Sequence, residues 1–214
     1  MFERTQGSKT KNKPDSHIVI YENNLGGCSL TGDGATYYPR MWKYIIDRFC
    51  IKSILDIGCG AGHSLEFFQH HDIDILGVEG CQEAIDKNLV DKKYLIKHDY
   101  ENNVYRPEKI FDFCWSAEFV EHVNEDKRFN FFESFKMCKY LAMTFAGKGQ
   151  GGHHHVNENT KEYWVQEITN IGFRFEPETT KELVELAKQD MEVHSPFYES
   201  HFIKRGLFFT NEKL

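Results

Sequence analysis

From Ile51 to Thr210, short apolar runs alternate with amphipathic stretches, and this alternation leaves the chain few folds to adopt. The runs Lys52–Ile57 (KSILDI), Ile73–Val78 (IDILGV), Lys93–Lys97 (KYLIK), Phe111–Trp115 (FDFCW) and Tyr140–Phe145 (YLAMTF) read as buried strands. A sixth begins at Phe173 and Phe175, and a last one spans Gly206–Thr210 (GLFFT). Helical spacing of apolar residues falls between them, around Leu65 and Phe68 and over Gln82–Leu89, Phe129–Met137, Thr160–Asn170 and Glu182–Met191. Trp42, Ile45, Ile46 and Phe49 set one more helix over Met41–Phe49, ahead of the first strand. Strands alternating with helices predict an α/β fold. Its sheet is doubly wound, mostly parallel and seven-stranded, covered on both faces, with the last strand returning antiparallel at one edge. Residues 1–36 fit no such unit and read as a polar tail and cap segment, leaving 37–214 as the domain. The tail carries Lys9, Lys11 and Lys13 and is expected to be mobile without a ligand.

The sharpest local signal is Asp56-Ile57-Gly58-Cys59-Gly60-Ala61-Gly62. It lies between a strand and a helix, where open α/β sheets bind ligands. A dinucleotide site asks for G-x-G-x-x-G, which seats a pyrophosphate on the helix N-terminus. Here His63 stands at the third glycine and Gly62 gives G-x-G-x-G instead, which disfavours a nicotinamide oxidoreductase.

Over Ile54 to His122 the chain resembles the class I methyltransferases that use S-adenosylmethionine (SAM). Ile54 to Gly62 matches their first motif, so the resemblance implies cofactor contacts at Asp56, Gly58, Cys59, Gly60 and Gly62. Glu79 ends the second strand, where the family places an acid on the ribose hydroxyls. Asp99, in His98-Asp99-Tyr100, matches the acid near the adenine amino group. Phe111 to Glu118 matches the fourth-strand motif that lines the transfer site. The resemblance thus brings Tyr100 and Ser116 into the cofactor site. It implies a Rossmann-like methyltransferase fold with SAM as cofactor.

Glu118, Glu121 and His122 form E-x-x-E-H. On a helix, Glu118 lies one turn from both other residues, so all three share a face just beyond the fourth strand. Two carboxylates and an imidazole so placed suit a divalent ion such as Mg²⁺, Mn²⁺ or Ca²⁺. A similar motif holds metal in small-RNA and ubiquinone-precursor O-methyltransferases. After the fifth strand comes Gly147-Lys148-Gly149-Gln150-Gly151-Gly152-His153-His154-His155, a loop able to add a histidine. His154 is the first choice among the three. The expected metal set is Glu118, Glu121, His122 and His154, with His122 and His154 also the candidate catalytic bases. Without a metal, the histidines line or cap the pocket, or lie in a surface loop. Tyr37, Tyr38 and Arg40 are candidates for the acceptor pocket, or else ordinary packing and surface.

Composition narrows the acceptor. A net charge of −7 argues against a long nucleic acid, which favours a basic surface. Phe145-Ala146-Gly147 also stands where the small-RNA enzymes carry a proline-rich motif. A sugar hydroxyl needs its proton removed before it can attack a methyl group, and a histidine or a divalent ion can assist. The run Gly151 to Asn157 and the Tyr-Trp helix after it resemble methyltransferase domains of glycan or nucleotide-sugar modification. The leading expectation is O-methylation of a sugar or glycan hydroxyl. The alternatives are a metal-independent methyltransferase of a small phenolic or other metabolite, and a non-catalytic SAM-binding module. No run is apolar and long enough to span a bilayer, and no export signal or C-x-x-C pair appears among the six cysteines. Reduced thiols and a cytoplasmic location are expected.

Overall fold

The computed structural model describes residues 19–21, 25, 27–29, 33–194 and 200–214. The tail with Lys9, Lys11 and Lys13 lies outside the described residues. A two-stranded antiparallel hairpin, β1 (Val19–Tyr21) and β2 (Gly27–Ser29), precedes the domain and was not anticipated by the sequence pattern.

The domain follows as α1 (Pro39–Phe49), β3 (Ser53–Ile57), α2 (His63–Gln69), β4 (Asp74–Glu79), α3 (Gln82–Asp86), β5 (Leu95–Lys97), β6 (Phe111–Ser116), α4 (Phe129–Phe135), β7 (Cys138–Met143), α5 (Lys161–Asn170), β8 (Phe173–Phe175), α6 (Pro177–His194), α7 (His201–Arg205) and β9 (Leu207–Asn211). The seven strands of the main sheet lie in the order β5-β4-β3-β6-β7-β9-β8. The pairings from β5 to β7 are parallel, and β9 runs antiparallel to both β7 and β8. The last strand is therefore antiparallel as expected, but it enters one place in from the edge, and β8 forms the edge. Leu207, Phe208 and Phe209 are wholly buried, so β9 needs cover from both sides and from both neighbours.

Alternation along each strand divides the core into two layers. Ile54, Phe113, Trp115 and Phe208 pack on the side of α1, α2 and α6, with Trp42, Phe68 and Leu183. Leu55, Cys114, Leu141 and Phe209 pack on the side of α4 and α5, with Phe131, Phe135, Trp164 and Ile168. In the phenylalanine-rich α4, Phe131, Phe132 and Phe135 are all buried.

Local chemistry moves several boundaries. The Asp91 side chain accepts from Lys93 N at 3.0 Å and winds Lys92–Tyr94 into a 3₁₀ turn, so the expected strand shrinks to β5. Thr160 caps α5, accepting from Tyr163 N at 3.2 Å, and stands outside the helix it was expected to begin.

Helix α1 begins with an unusual cap. Asp190 of α6 is wholly buried and accepts from Arg40 N at 3.0 Å and Met41 N at 3.1 Å. These are first-turn amides that the helix itself cannot satisfy. Asp190→Ala should cost about 1.5–3 kcal/mol, the usual worth of hydrogen bonds to a charged group. A lower urea midpoint with unchanged slope would report it; an unchanged midpoint would mean that solvent caps α1 equally well.

Candidate active site

Two neighbouring strands send the chain in opposite directions. After β3 it moves out through β4 to β5, and after β6 it moves the other way through β7. The crevice beyond the C-terminal ends of β3 and β6 lies at this switch point, where open sheets bind ligands. The loop after β3 and the segment after β6 meet there.

In the loop, Gly58, Gly60 and Gly62 all take positive φ, at 77°, 52° and 82°. A Cβ on Gly58 would lie 2.9 Å from the Phe119 side chain, so glycine lets the segment after β6 close against the loop. Asn88 braces the other side, donating from Nδ2 to Gly60 O at 2.8 Å. Glu79 ends β4 and accepts from Gly60 N and Cys81 N, both at 2.8 Å. Asp99 shapes the turn after β5, accepting from Glu101 N at 2.8 Å and Asn102 Nδ2 at 2.6 Å. Asp56 is buried and bonded by Ser64. Burial pushes its carboxyl up to about 7; the Ser64 bond works against that rise and the Glu79 charge adds to it.

The E-x-x-E-H segment is not a continuous helix. Glu118 is left-handed at φ 51°, and only Val120–His122 form a single 3₁₀ turn. The loop after β7 docks on this turn. Val156 N and Asn157 N donate to Glu121 O at 2.9 and 3.1 Å, and His122 Nδ1 donates to His154 O at 3.1 Å. Ligand-capable atoms of Glu121, His122 and His155 lie within 4.8 Å of one another. Glu121 is wholly buried, and neither carboxylate oxygen has a hydrogen-bond partner. Burial first, and the charge of Glu118 second, push its carboxyl well above the ordinary range. Burial lowers His122 to about 4, so at neutral pH it is a neutral imidazole.

The histidine orientations follow from their partners. His122 Nδ1 faces a carbonyl and His155 Nδ1 faces Glu158 Oε1 at 3.1 Å. Both partners only accept, so each Nδ1 carries the proton and each Nε2 keeps a lone pair. Glu118 is held elsewhere: Thr144 Oγ1 donates to it at 2.9 Å and His201 Nδ1 at 2.8 Å. Burial opposes its charge, but His201 and Thr144 hold its carboxyl below the usual range. His201 Nε2 in turn lies 3.6 Å from Asp33. Burial would lower His201, yet these two carboxylates raise it to about 10.

Residues 55–139, from β3 to the start of β7, match the family model described as a methyltransferase domain. Over that segment the chain is similar to methyltransferase domains. Among solved structures, the chain resembles the plantazolicin methyltransferase BpumL in complex with a triazolic desmethylPZN analog and SAH. That TM-score is 0.56 at 17% identity, covering 81% of this chain and 83% of that one. A TehB-like SAM-dependent methyltransferase from Corynebacterium glutamicum gives 0.56 at 20% identity, covering 82% and 88%. The (4+2) cyclase SpnF gives 0.54 at 14% identity, covering 84% and 85%. Likeness at these identities is one of fold, and the cyclase shows that the fold also carries other reactions. Comparison with curated proteins finds no match.

The fold brings most of the expected site residues together and gives some of them other tasks. Asp56, Gly58, Gly60, Gly62 and Glu79 surround one loop, and Asp99 stands at the next strand end but one from β3. Cys59 is buried with its thiol beside Gly77, so only its backbone faces the loop. Tyr100 is a correction: its ring is buried edge-on to Phe119 and Phe131, and its hydroxyl pairs with Ser134 at 2.7 Å. Ser116 is another, because it is wholly buried and donates to Ile57 O at 3.1 Å, joining β6 to β3. His155, not His154, joins Glu121 and His122; His154 meets His122 through its carbonyl, and its own Nε2 is buried without a partner. Tyr38 is wholly buried and bonded to Ser200 and Phe202, so it is packing and not an acceptor-pocket residue. Tyr37 stacks edge-on against Trp42, and Arg40 pairs with Asp190. Asn88, Phe119, Thr144, Glu158 and His201 carry no local motif and could not be found without the tertiary structure.

Glu79→Ala should weaken SAM binding roughly 10- to 100-fold, the loss expected from charged hydrogen bonds of about 1.5–3 kcal/mol. Unchanged affinity by calorimetry would remove Glu79 from the ribose site. Asp56 makes a pH prediction. Its folded value, about 7, lies above the ordinary 3.8, so its contribution to stability is full below the lower value and lost as pH rises through the upper. The wild-type protein should lose more stability across that window than Asp56→Asn does, as read by urea unfolding.

Proposed function

We propose that this domain transfers a methyl group from SAM to a hydroxyl oxygen of a small polyhydroxylated acceptor of the sugar or glycan class, with a divalent ion at the Glu121 cluster. The single observation that carries the metal is the Glu121 carboxylate, buried with both oxygens unpartnered in a cluster where Glu121, His122 and His155 offer ligand atoms within 4.8 Å of one another. A buried carboxylate of this kind requires a proton or a cation. The donor set fits the second. Neutral imidazoles and a carboxylate suit Mn²⁺ as well as harder ions, and the Glu158 bond orients His155 as outer-sphere carboxylates commonly do. The expected Glu118 becomes the neighbouring second carboxylate, and His155 takes the place assigned to His154.

SAM supplies an already activated methyl group on a sulfonium, and a divalent ion would supply a Lewis acid that favours loss of the acceptor proton. The chain's own part is positioning. Glu79 and Asp99 would hold the ribose and adenine, and the Gly58–Gly62 turn would let the backbone approach the cofactor. Phe119 covers that turn and limits water beside it. His122, lowered to about 4, is a poor general base at neutral pH, which favours the ligand role over the catalytic one. No helix among the described residues is long and apolar enough to cross a membrane. The reducing cytoplasm is the location we propose.

A labelled-SAM assay against sugars, phenols and RNA tests the acceptor, and label in the sugar fraction is the expected result. Chelation with EDTA should abolish turnover, leave SAM affinity nearly intact, and be reversed by added Mn²⁺ or Mg²⁺. Full activity in EDTA, with no metal by elemental analysis, would overturn the metal role.

A further inference from the structure

A second feature opens at the same edge of the sheet, two strands from the Glu121 cluster. A cleft of about 260 Å³ lies where α5, α6 and α7 approach the start of β9. Four cations line it: Lys161, Lys181, Lys204 and Arg205. No carboxylate is among the described residues that line it, although the chain as a whole carries a net charge of −7. Pro177, Thr180 and Val184, on one side of the long helix α6, also face the cleft.

The cleft adjoins the candidate active site. Leu207 at its floor pairs with Met143 at the C-terminal end of β7, the strand whose loop carries His155. A Cβ on Gly147 would lie 2.9 Å from Arg205 Nε, so the guanidinium rests against the first residues of that loop. Drug-sized ligand pockets usually measure about 300–1,000 Å³, so this cleft suits one charged end of a molecule better than a whole one.

We propose that the cleft is an anion subsite that takes the phosphate or diphosphate group of the acceptor. Four cations match a multiply charged oxyanion better than a single carboxylate, and Arg205 offers the planar fork that phosphate oxygens accept. The identity of the anion's owner rests on the methyl-transfer reading above; the anion site itself does not.

The test titrates inorganic pyrophosphate into the purified protein by calorimetry, with no SAM and no acceptor present. Saturable one-site binding is expected, weakening as salt is raised. The Lys181→Gln/Arg205→Gln double variant should lose roughly tenfold or more in affinity, as expected for lost charge-assisted bonds. Lys181→Arg should keep binding, and Lys97→Gln, an equal charge change on β5, should leave it unchanged. Lys181→Gln alone, at an exposed position, should show a smaller loss and guards against misfolding of the double variant. No saturable binding, or equal weakening in Lys97→Gln, would overturn the subsite. Because the readout involves no methyl transfer, either result leaves the reaction to be judged by the SAM assay alone.

Discussion

The parallel pairing of β3 with β6 is the constraint on which the rest of the site depends. Ile54, Leu55 and Asp56 lie opposite Phe113, Cys114 and Trp115, and beyond this ladder the two chains separate. The Ser116 hydroxyl ties the end of β6 to the Ile57 carbonyl at the end of β3. Everything that follows each strand is thereby placed in one crevice: the glycine turn from one, Phe119 and the Glu118–His122 segment from the other. The two pieces fit because Gly58 has no side chain where Phe119 lies. The glycine turn and the segment after β6 are thereby held to each other.

The Glu121 residue organises the second half of the site twice over. Its carbonyl takes two amides of the loop after β7, while its carboxylate stays buried and unpartnered. The loop is therefore already closed on the turn. Gly149 and Gly151 take positive φ, but Val156 and Asn157 beyond them are fixed by Glu121. Asn157 is itself buried, with its side chain turned toward the Val120 carbonyl.

Much of the fold was legible because its signals are local. Apolar runs such as Ile54–Ile57 and Phe111–Trp115 can bury both faces only in a covered parallel sheet, and their order along the chain determines the doubly wound form. The glycine turn was legible for the same reason. What escaped was set by long-range contacts. The place of β9 between β7 and β8 depends on pairings such as Leu141 with Phe209, which no local pattern encodes. Helix α7 is five residues long and depends on the Ser200 cap and on Tyr38, far away in sequence. The E-x-x-E-H motif was recognised, but helical spacing was the wrong geometry for it. Its residues converge through a left-handed Glu118 and a 3₁₀ turn, and the choice among three histidines was made by which ring could turn toward Glu158.

The ion pair of Glu118 with His201 bears on how the two carboxylates divide their roles. Two carboxylates facing each other in a dry pocket cannot both stay charged without compensation. Glu118 is compensated by His201, which Asp33 also supports, and so remains ionised. Glu121 has no such partner, and its charged form is disfavoured. The environments thus push one carboxyl down and its neighbour up, the usual way a site makes two like groups unequal. A proton or a metal ion would settle on Glu121 first, because that is where charge is uncompensated. His201 then holds Glu118 apart from the cluster and connects it to α7, the element that also carries Lys204 and Arg205 to the basic cleft. An acceptor anchored at both ends by the cleft and by the Glu121 cluster would have its reacting hydroxyl positioned by two points, and two points discriminate between sugars better than either alone.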